Sequence, residues 1–503
     1  MYEAMCKPSQ NLRNRCARLR ALLIAIAIAS VCAQGVRAQP SLLTGLLGQW
    51  TTLVDQTPIN PVHVALMRDG KVLIVSGSGN VPTNRDYQTA VWDPQTQTFA
   101  TQPIAWDMFC NGMVVLPDGR PLINGGNLQY DPFHGEPRNA VFDPANGLFT
   151  DVQSMAHGRW YPTVTTLGDG TVMTFSGLTE TGATNTTVEI FTSGLGWSPE
   201  FSAGWTPPLY PRQHLLPDGR VFYSGSGRGS RFFDPPTKTW SAVAATTNYA
   251  MTRSYGTSVL LPLTPQNGYK PRVMILGGGN PSTATTEIID LSEPVPAWQY
   301  GPLMSQPRIE MNATILPNGK VLATGGSLND EDTATASLNA DLYDPASNRF
   351  DPAGANAFPR LYHSNALLLP DATVLLTGGN PRRGSYEGHL EIYSPAYLFN
   401  IGGGFALRPT ITDVPAAIGY GATFQVLTPV AADIASVVLV RPGAATHAFD
   451  MDQRLVGLSY TVGLGALDVT APPNGNIAPP GYYMLFILNS AGVPSVARFV
   501  KLS

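Results

Sequence analysis

Along most of the chain, short apolar runs alternate with turn residues, and one arrangement of the two returns seven times. Each copy is a Leu-Pro-Asp-Gly-like turn, then a β-branched run, then paired glycines. The copies read MRDGKVLIVSGSG (67–79), LPDGRPLINGGN (116–127), LGDGTVMTFSG (167–177), LPDGRVFYSGSG (216–227), LPNGKVLATGG (316–326) and LPDATVLLTGGN (369–380), with a degenerate fifth from Leu261 to Gly279 whose turn is widened by an insertion. Asp-Gly or Asn-Gly tolerates the positive φ of a two-residue hairpin turn, which is what the pattern predicts. The run after it predicts a buried strand, and the glycine pair predicts close backbone approach where that strand ends. Hardly any amphipathic helix period is present after residue 40.

A unit of this size buries too little core to stand alone, so the copies must stack and close on themselves. Their spacing, about fifty residues, is that of a kelch-type blade. Most copies continue into an aromatic-Asp-Pro turn, as at Trp92-Asp93-Pro94, Phe142-Asp143-Pro144, Phe233-Asp234-Pro235 and Tyr343-Asp344-Pro345. The fold expected is all-β: a seven-bladed kelch-type β-propeller, its blades spanning about 45–398, followed by an immunoglobulin-like β-sandwich. After Tyr397 the repeat stops, and short strands such as Ile434 to Val440, Tyr482 to Leu488 and Ala497 to Leu502 are separated by Pro and Gly. The domains expected are a signal peptide over 1–38, the propeller over 39–400 and the sandwich over 401–503.

The first of these rests on a basic segment (Arg13, Arg15, Arg18, Arg20), an apolar stretch from Ala21 to Ala33 and the small-x-small pattern Val36-Arg37-Ala38. The stretch is short for a membrane span. An exported protein is expected, periplasmic or secreted. Removing 1–38 takes away Lys7 and five arginines against Glu3, and moves the net charge from −4 to −9. That balance disfavours nucleic acid or an anionic membrane as partner. Cys6, Cys16 and Cys32 leave with the signal, so Cys110 is the one cysteine of the mature chain. Such a leftover thiol in an exported protein is either an inert buried residue or a functional one.

Counting back six residues from the start of each turn lands on Pro61, Cys110, Tyr161, Tyr210, Tyr255, Glu310 and His363, one per blade. In a propeller this register faces the axial channel. A thiol, three phenols, a carboxylate and an imidazole are costly to bury unless bonded to something. They either bind channel water or hold a metal with mixed nitrogen and oxygen ligands, for which Cu(II) or Fe(III) suits better than Mg(II) or Ca(II). His63, His134, His157, His214 and His389 fall outside the register and are expected on the surface or in turns. Tyr210, Tyr255 and Glu310 are expected either to line the channel or simply to pack.

The segments DMFCNG (107–112), GRWYPT (158–163), RLYHSNALLLPD (360–371) and THAFDMDQR (446–454) closely resemble the motifs of the galactose oxidase and glyoxal oxidase family of copper-radical oxidases, across essentially the whole mature chain. The resemblance implies one copper ion on the propeller axis, with Tyr161, Tyr362, His363 and His447 as ligands. It implies a thioether between Cys110 and the Tyr161 ring, formed by self-processing, with Tyr161 as the radical-bearing group and Tyr362 as general base. His447 would come from the C-terminal domain. The reaction implied is oxidation of a small aldehyde or primary alcohol by dioxygen, releasing hydrogen peroxide, by a monomeric enzyme. Trp160-Tyr161-Pro162 is similar to glyoxal oxidases, and no tryptophan lies near residue 179. An aromatic shield over the radical must come from elsewhere, with Trp160 and Trp106 as candidates.

Two rival classes remain at this stage. A non-catalytic kelch module binding a glycan or protein explains the propeller but not the five site residues together. A metal-free hydrolase calls for an arginine cluster and paired carboxylates on the axis. Arg253 and Arg308 sit two residues before the register, with poor acid partners. Asp452 to Arg454 reads equally well as a structural ion pair.

Overall fold

Each apolar run that follows a turn becomes the second strand of an antiparallel blade in the computed structural model, which describes residues 42–503. The export signal expected over 1–38 lies outside the described residues. Seven such sheets follow in chain order, with innermost strands His63–Leu66, Gly112–Val115, Thr163–Thr166, Arg212–Leu215, Thr257–Leu260, Asn312–Ile315 and Asn365–Leu368. Each innermost strand touches the next, and the seventh touches the first, which closes the ring. The seventh sheet takes its outer strand, Gln49–Gln56, from the other end of the propeller sequence, paired antiparallel with His389–Ser394. Strands such as Val72–Gly77 and Val374–Thr377 are buried at every residue because blades cover both faces, which is why they read as continuous apolar runs.

The turns differ from expectation. In the first blade Gly70 N–H donates to Met67 O at 2.9 Å and Met67 N–H to Lys71 O at 2.8 Å, a three-residue loop ending in a bulge. Only the glycine takes positive φ, 82° at Gly70 and 81–90° at Gly119, Gly170, Gly219 and Gly319. The aspartate instead accepts the N–H two residues on, as Asp69 does from Lys71, so it stays in ordinary backbone space.

Four arginines just before the channel register turn back into their own blades. The buried pairs are Arg159–Glu189 (3.1 Å), Arg253–Glu287 (3.0 Å), Arg308–Asp341 (2.8 Å) and Arg360–Glu391 (2.7 Å). The acid partners that looked poor in the sequence sit on the third strand of the same blade. These pairs tie strands together and present no arginine cluster to the axis, which removes the observation a metal-free hydrolase needs.

The C-terminal sandwich packs a five-stranded sheet (Ala417–Ile418, Arg498–Leu502, Gly481–Asn489, Ile434–Arg441, Arg454–Leu458) on a three-stranded one (Thr423–Leu427, Ala466–Thr470, Tyr460–Val462). Between Arg441 and Arg454 the chain leaves the sandwich as a long hairpin. Its strand Ala444–Thr446 pairs with the innermost strand of the first blade, Thr446 opposite His63, and returns through Phe449–Asp450. The base of this stalk is held by three other blades. Asp452 accepts Val115 N–H at 2.5 Å and pairs with Arg441 at 3.0 Å. Gln453 bonds Ile315 and Ala313, and Arg454 bonds Leu215 O. The Asp452–Arg454 segment is therefore a structural anchor. Among the described residues no helix is long and apolar enough to cross a membrane.

Candidate metal centre

The channel register is written into the backbone. Cys110, Tyr161, Tyr210, Tyr255, Glu310 and His363 have φ of 61°, 68°, 45°, 47°, 62° and 63°, all left-handed and none of them glycine. The conformation costs of order 1–3 kcal/mol per residue and persists only where the surroundings dictate it. Here adjacent blades do so: Tyr161 N–H donates to Cys110 O (3.0 Å), Tyr210 N–H to Tyr161 O (3.0 Å) and Glu310 N–H to Tyr255 O (2.8 Å).

The stalk brings its own strained residues to the same place. His447 and Ala448, between the paired Thr446 and Phe449, have φ of 47° and 65°. A two-residue hairpin turn with both φ positive usually takes Asn-Gly; this one carries a histidine at its tip. His447 Nε2 lies 3.6 Å from Cys110 Sγ, and Cys110, His363 and His447 offer ligand atoms all within 4.8 Å of one another.

The aromatic groups pack around that cluster. The Tyr161 ring lies 4.6 Å from the His447 ring at 62°, and the Tyr362 ring 3.9 Å from His363 and 5.2 Å from His447. Tyr161, Cys110, His363 and His447 are buried, whereas Tyr362 is partly exposed. Trp160 stacks on Tyr161 at 3.7 Å and 15°, and Phe133 stacks on Trp160 at 4.1 Å. Trp160 thus covers the tyrosine, while Trp106 is turned away, its Nε1 donating to Asp151. Of the register residues that were open between lining and packing, Tyr210 packs against Tyr161 and His447, both at 4.5 Å, and donates its hydroxyl to Asn111 O.

Both histidines have their outer nitrogen occupied. His363 Nδ1 donates to Asn380 Oδ1 at 2.5 Å. Thr446 Oγ–H donates to Val62 O at 2.9 Å, so its oxygen accepts from His447 Nδ1 at 2.6 Å. Each ring is therefore held with its Nε2 lone pair toward the cluster, the arrangement that orients metal-binding imidazoles. Burial lowers His363 to about 3 and holds His447 well below the usual imidazole range, the latter helped by His363 and His63. His363 Nε2 is buried with no partner. Two neutral imidazoles and two phenols around one point, one nitrogen orphaned, fit a copper ion.

Sequence reasoning missed part of this. Asn380 follows the seventh glycine pair directly, as Asn127 follows the second, and that shared offset was a usable signal. His63 is not a surface residue: it is fully buried on the innermost strand, 5.8 Å from the His447 ring, with neither nitrogen bonded. His214 also lies on an innermost strand and bonds Ser258. Both were misplaced because they sit two and four residues past the register, on the strand itself. His157 is on the surface, paired with Glu180, as expected.

Known proteins carry the same arrangement of domains. The glyoxal oxidase N-terminus model matches residues 51–397 and the galactose oxidase-like early set domain model 408–502. The aldehyde oxidase GLOX of Vitis pseudoreticulata is 29% identical over 92% of this chain and 98% of its own length. A galactose oxidase of Gibberella zeae is 27% identical over 91% of this chain and 71% of its own. A fungal alcohol oxidase solved in complex with copper superposes with a TM-score of 0.78 at 26% identity, covering 91% of this chain and all of that one. With the copper-compatible centre at the head of its channel, the chain belongs to the glyoxal oxidase family and is a copper-dependent oxidoreductase.

Proposed function

We propose that this protein oxidises small aldehydes, taken as their hydrates, or simple primary alcohols, with dioxygen as acceptor. A hydrated aldehyde and dioxygen give a carboxylic acid and hydrogen peroxide, so two electrons and two protons leave the substrate together. One observation carries the reading: Cys110, Tyr161, Tyr362, His363 and His447 converge where the stalk tip meets the channel. Tyr161, Tyr362, His363 and His447 are the residues that would hold copper, which supplies a Lewis acid and a one-electron couple.

The second electron is assigned to Tyr161, as a radical. A thioether from the buried Cys110 thiol to its ring, formed with loss of two hydrogens to dioxygen, spreads the unpaired electron and eases its formation. The Trp160 stack excludes water from that ring. Tyr362, the partly exposed phenol, is assigned the proton of the substrate hydroxyl, which requires it within hydrogen-bond reach. His447 comes from the 401–503 domain, so the site needs both this module and the 39–400 propeller. The protein is read as an exported monomer, with 1–38 removed, acting on a small molecule and not on nucleic acid or membrane.

A peroxide assay over an aldehyde and alcohol panel, run before and after copper removal by a chelator, tests the reading. Copper-dependent peroxide release is the expected result; none from any substrate in the copper-loaded protein overturns it. Removal of the group that orients His363 should also show. Asn380→Ala is expected to weaken copper binding by about 10- to 100-fold, measured by competition with a chelator of known affinity.

A further inference from the structure

Glu310 is the one buried carboxylate among the described residues that meets neither an arginine nor an amide side chain; beside it lie the Asp330 carboxyl and the Glu331 backbone N–H. Asp107, Glu136, Glu189, Glu287, Asp341, Glu391 and Asp452 each meet an arginine, an amide or a backbone N–H. Glu310 is 3% exposed, and neither Oε1 nor Oε2 makes a well-formed hydrogen bond. An unmet group of this kind costs about 1–3 kcal/mol or more, and in a native protein calls for an explanation.

Its position supplies one. The left-handed backbone of the register turns its side chain away from Arg308, which is directed into the blade toward Asp341. Its blade lies between those of Tyr255 and His363. The Tyr255 ring packs edge-on against Tyr362 at 5.4 Å and 73°, and Glu310 N–H donates to Tyr255 O at 2.8 Å, so Glu310 adjoins the residue that packs on the centre. It is not part of the cluster of groups close enough to share a metal.

We propose that Glu310 contacts the substrate, its carboxyl bonding a hydroxyl other than the one being oxidised: the second hydroxyl of a hydrated aldehyde or its neighbour in a vicinal diol. This rests on the oxidase reading above. Burial, then the flanking Asp330 and Glu331, hold the Glu310 carboxyl well above the usual range. A neutral carboxyl both donates and accepts, and a diol offers both in return. A monohydric alcohol has no second hydroxyl to offer it, so the residue selects hydrated aldehydes over simple alcohols.

The test compares Glu310→Leu and Glu310→Gln with the parent in the full, copper-loaded chain. The quantity read is kcat/KM for glycolaldehyde divided by that for 1-butanol, from peroxide release. Leucine removes both hydrogen-bonding functions, and the ratio is expected to fall about tenfold or more, mainly through KM for glycolaldehyde. Glutamine keeps a donor and an acceptor and is expected to stay within about threefold. Mass analysis of the Cys110–Tyr161 peptide in each variant separates loss of the redox group from loss of the contact. An unchanged ratio in the leucine variant, or an equal fall for both substrates in both variants, overturns the proposal. A parent protein with no peroxide-forming activity contradicts the oxidase reading itself, and the proposal falls with it.

Discussion

Tyr161→Phe is expected to abolish peroxide-forming turnover, a loss of about 10,000-fold or more, as for residues that act as one unit with their partners. Phenylalanine keeps the ring that stacks on Trp160 at 3.7 Å and meets His447 at 4.6 Å, so the site stays packed. What goes is the phenol oxygen, and with it the copper ligand and one-electron donor that the proposed function assigns to Tyr161. Unfolding behaviour close to the parent's, together with lost turnover, is the combination that assigns the effect to chemistry. Cys110→Ser is the companion: it keeps the phenol but has no sulfur to attach, so some turnover is expected to survive it. Activity in the phenylalanine variant within tenfold of the parent would contradict the role given to Tyr161.

The second large effect is on stability. Asp452→Ala removes a carboxylate that pairs with Arg441 at 3.0 Å, both side chains at most 4% exposed. It also strips the acceptor from Val115 N–H. Deleting one partner of a buried pair leaves the other charge uncompensated, and the expected cost is about 3–5 kcal/mol. Arg441 keeps its bonds to Val115 O and the Pro479 and Pro480 carbonyls, which hold it in place without neutralising it. Because Asp452 lies five residues beyond His447 on the same stalk, copper occupancy is expected to fall with stability. Asp452→Asn, which keeps an acceptor oxygen for Val115, is expected to cost less. Denaturant unfolding of the three proteins measures this, and an alanine variant within about 1 kcal/mol of the parent would mean that the stalk is held by other contacts.

The propeller and the blade side of the centre were legible in the sequence because one geometric rule repeats. Each hairpin loop fixes where its innermost strand ends, so a constant offset finds the same channel-facing residue in every blade. The shared left-handed φ at Cys110, Tyr161 and His363 is the structural form of that offset. His447 has no such rule. It lies 337 residues from Cys110 on a hairpin of the other domain, and no repeat alignment reaches it; the resemblance of THAFDMDQR to a family motif did.

The remaining misses have separate physical causes. His63 was judged by its distance from the register and not by the strand it occupies, where every residue is buried. Asp-Gly was read as a two-residue turn because the bulge that follows leaves no mark in composition. Glu310 was visible as a register residue, but which groups face its carboxyl depends on the fold of the Asp330–Glu331 loop, which the register does not reach.

The most direct test of the account is peptide mass mapping of copper-treated protein held in air, with thiol alkylation alongside. A Cys110 peptide joined to the Tyr161 peptide, two hydrogens short of their sum and resistant to alkylation, is the result predicted for a radical-forming centre. A freely alkylated Cys110 after full copper loading would contradict it.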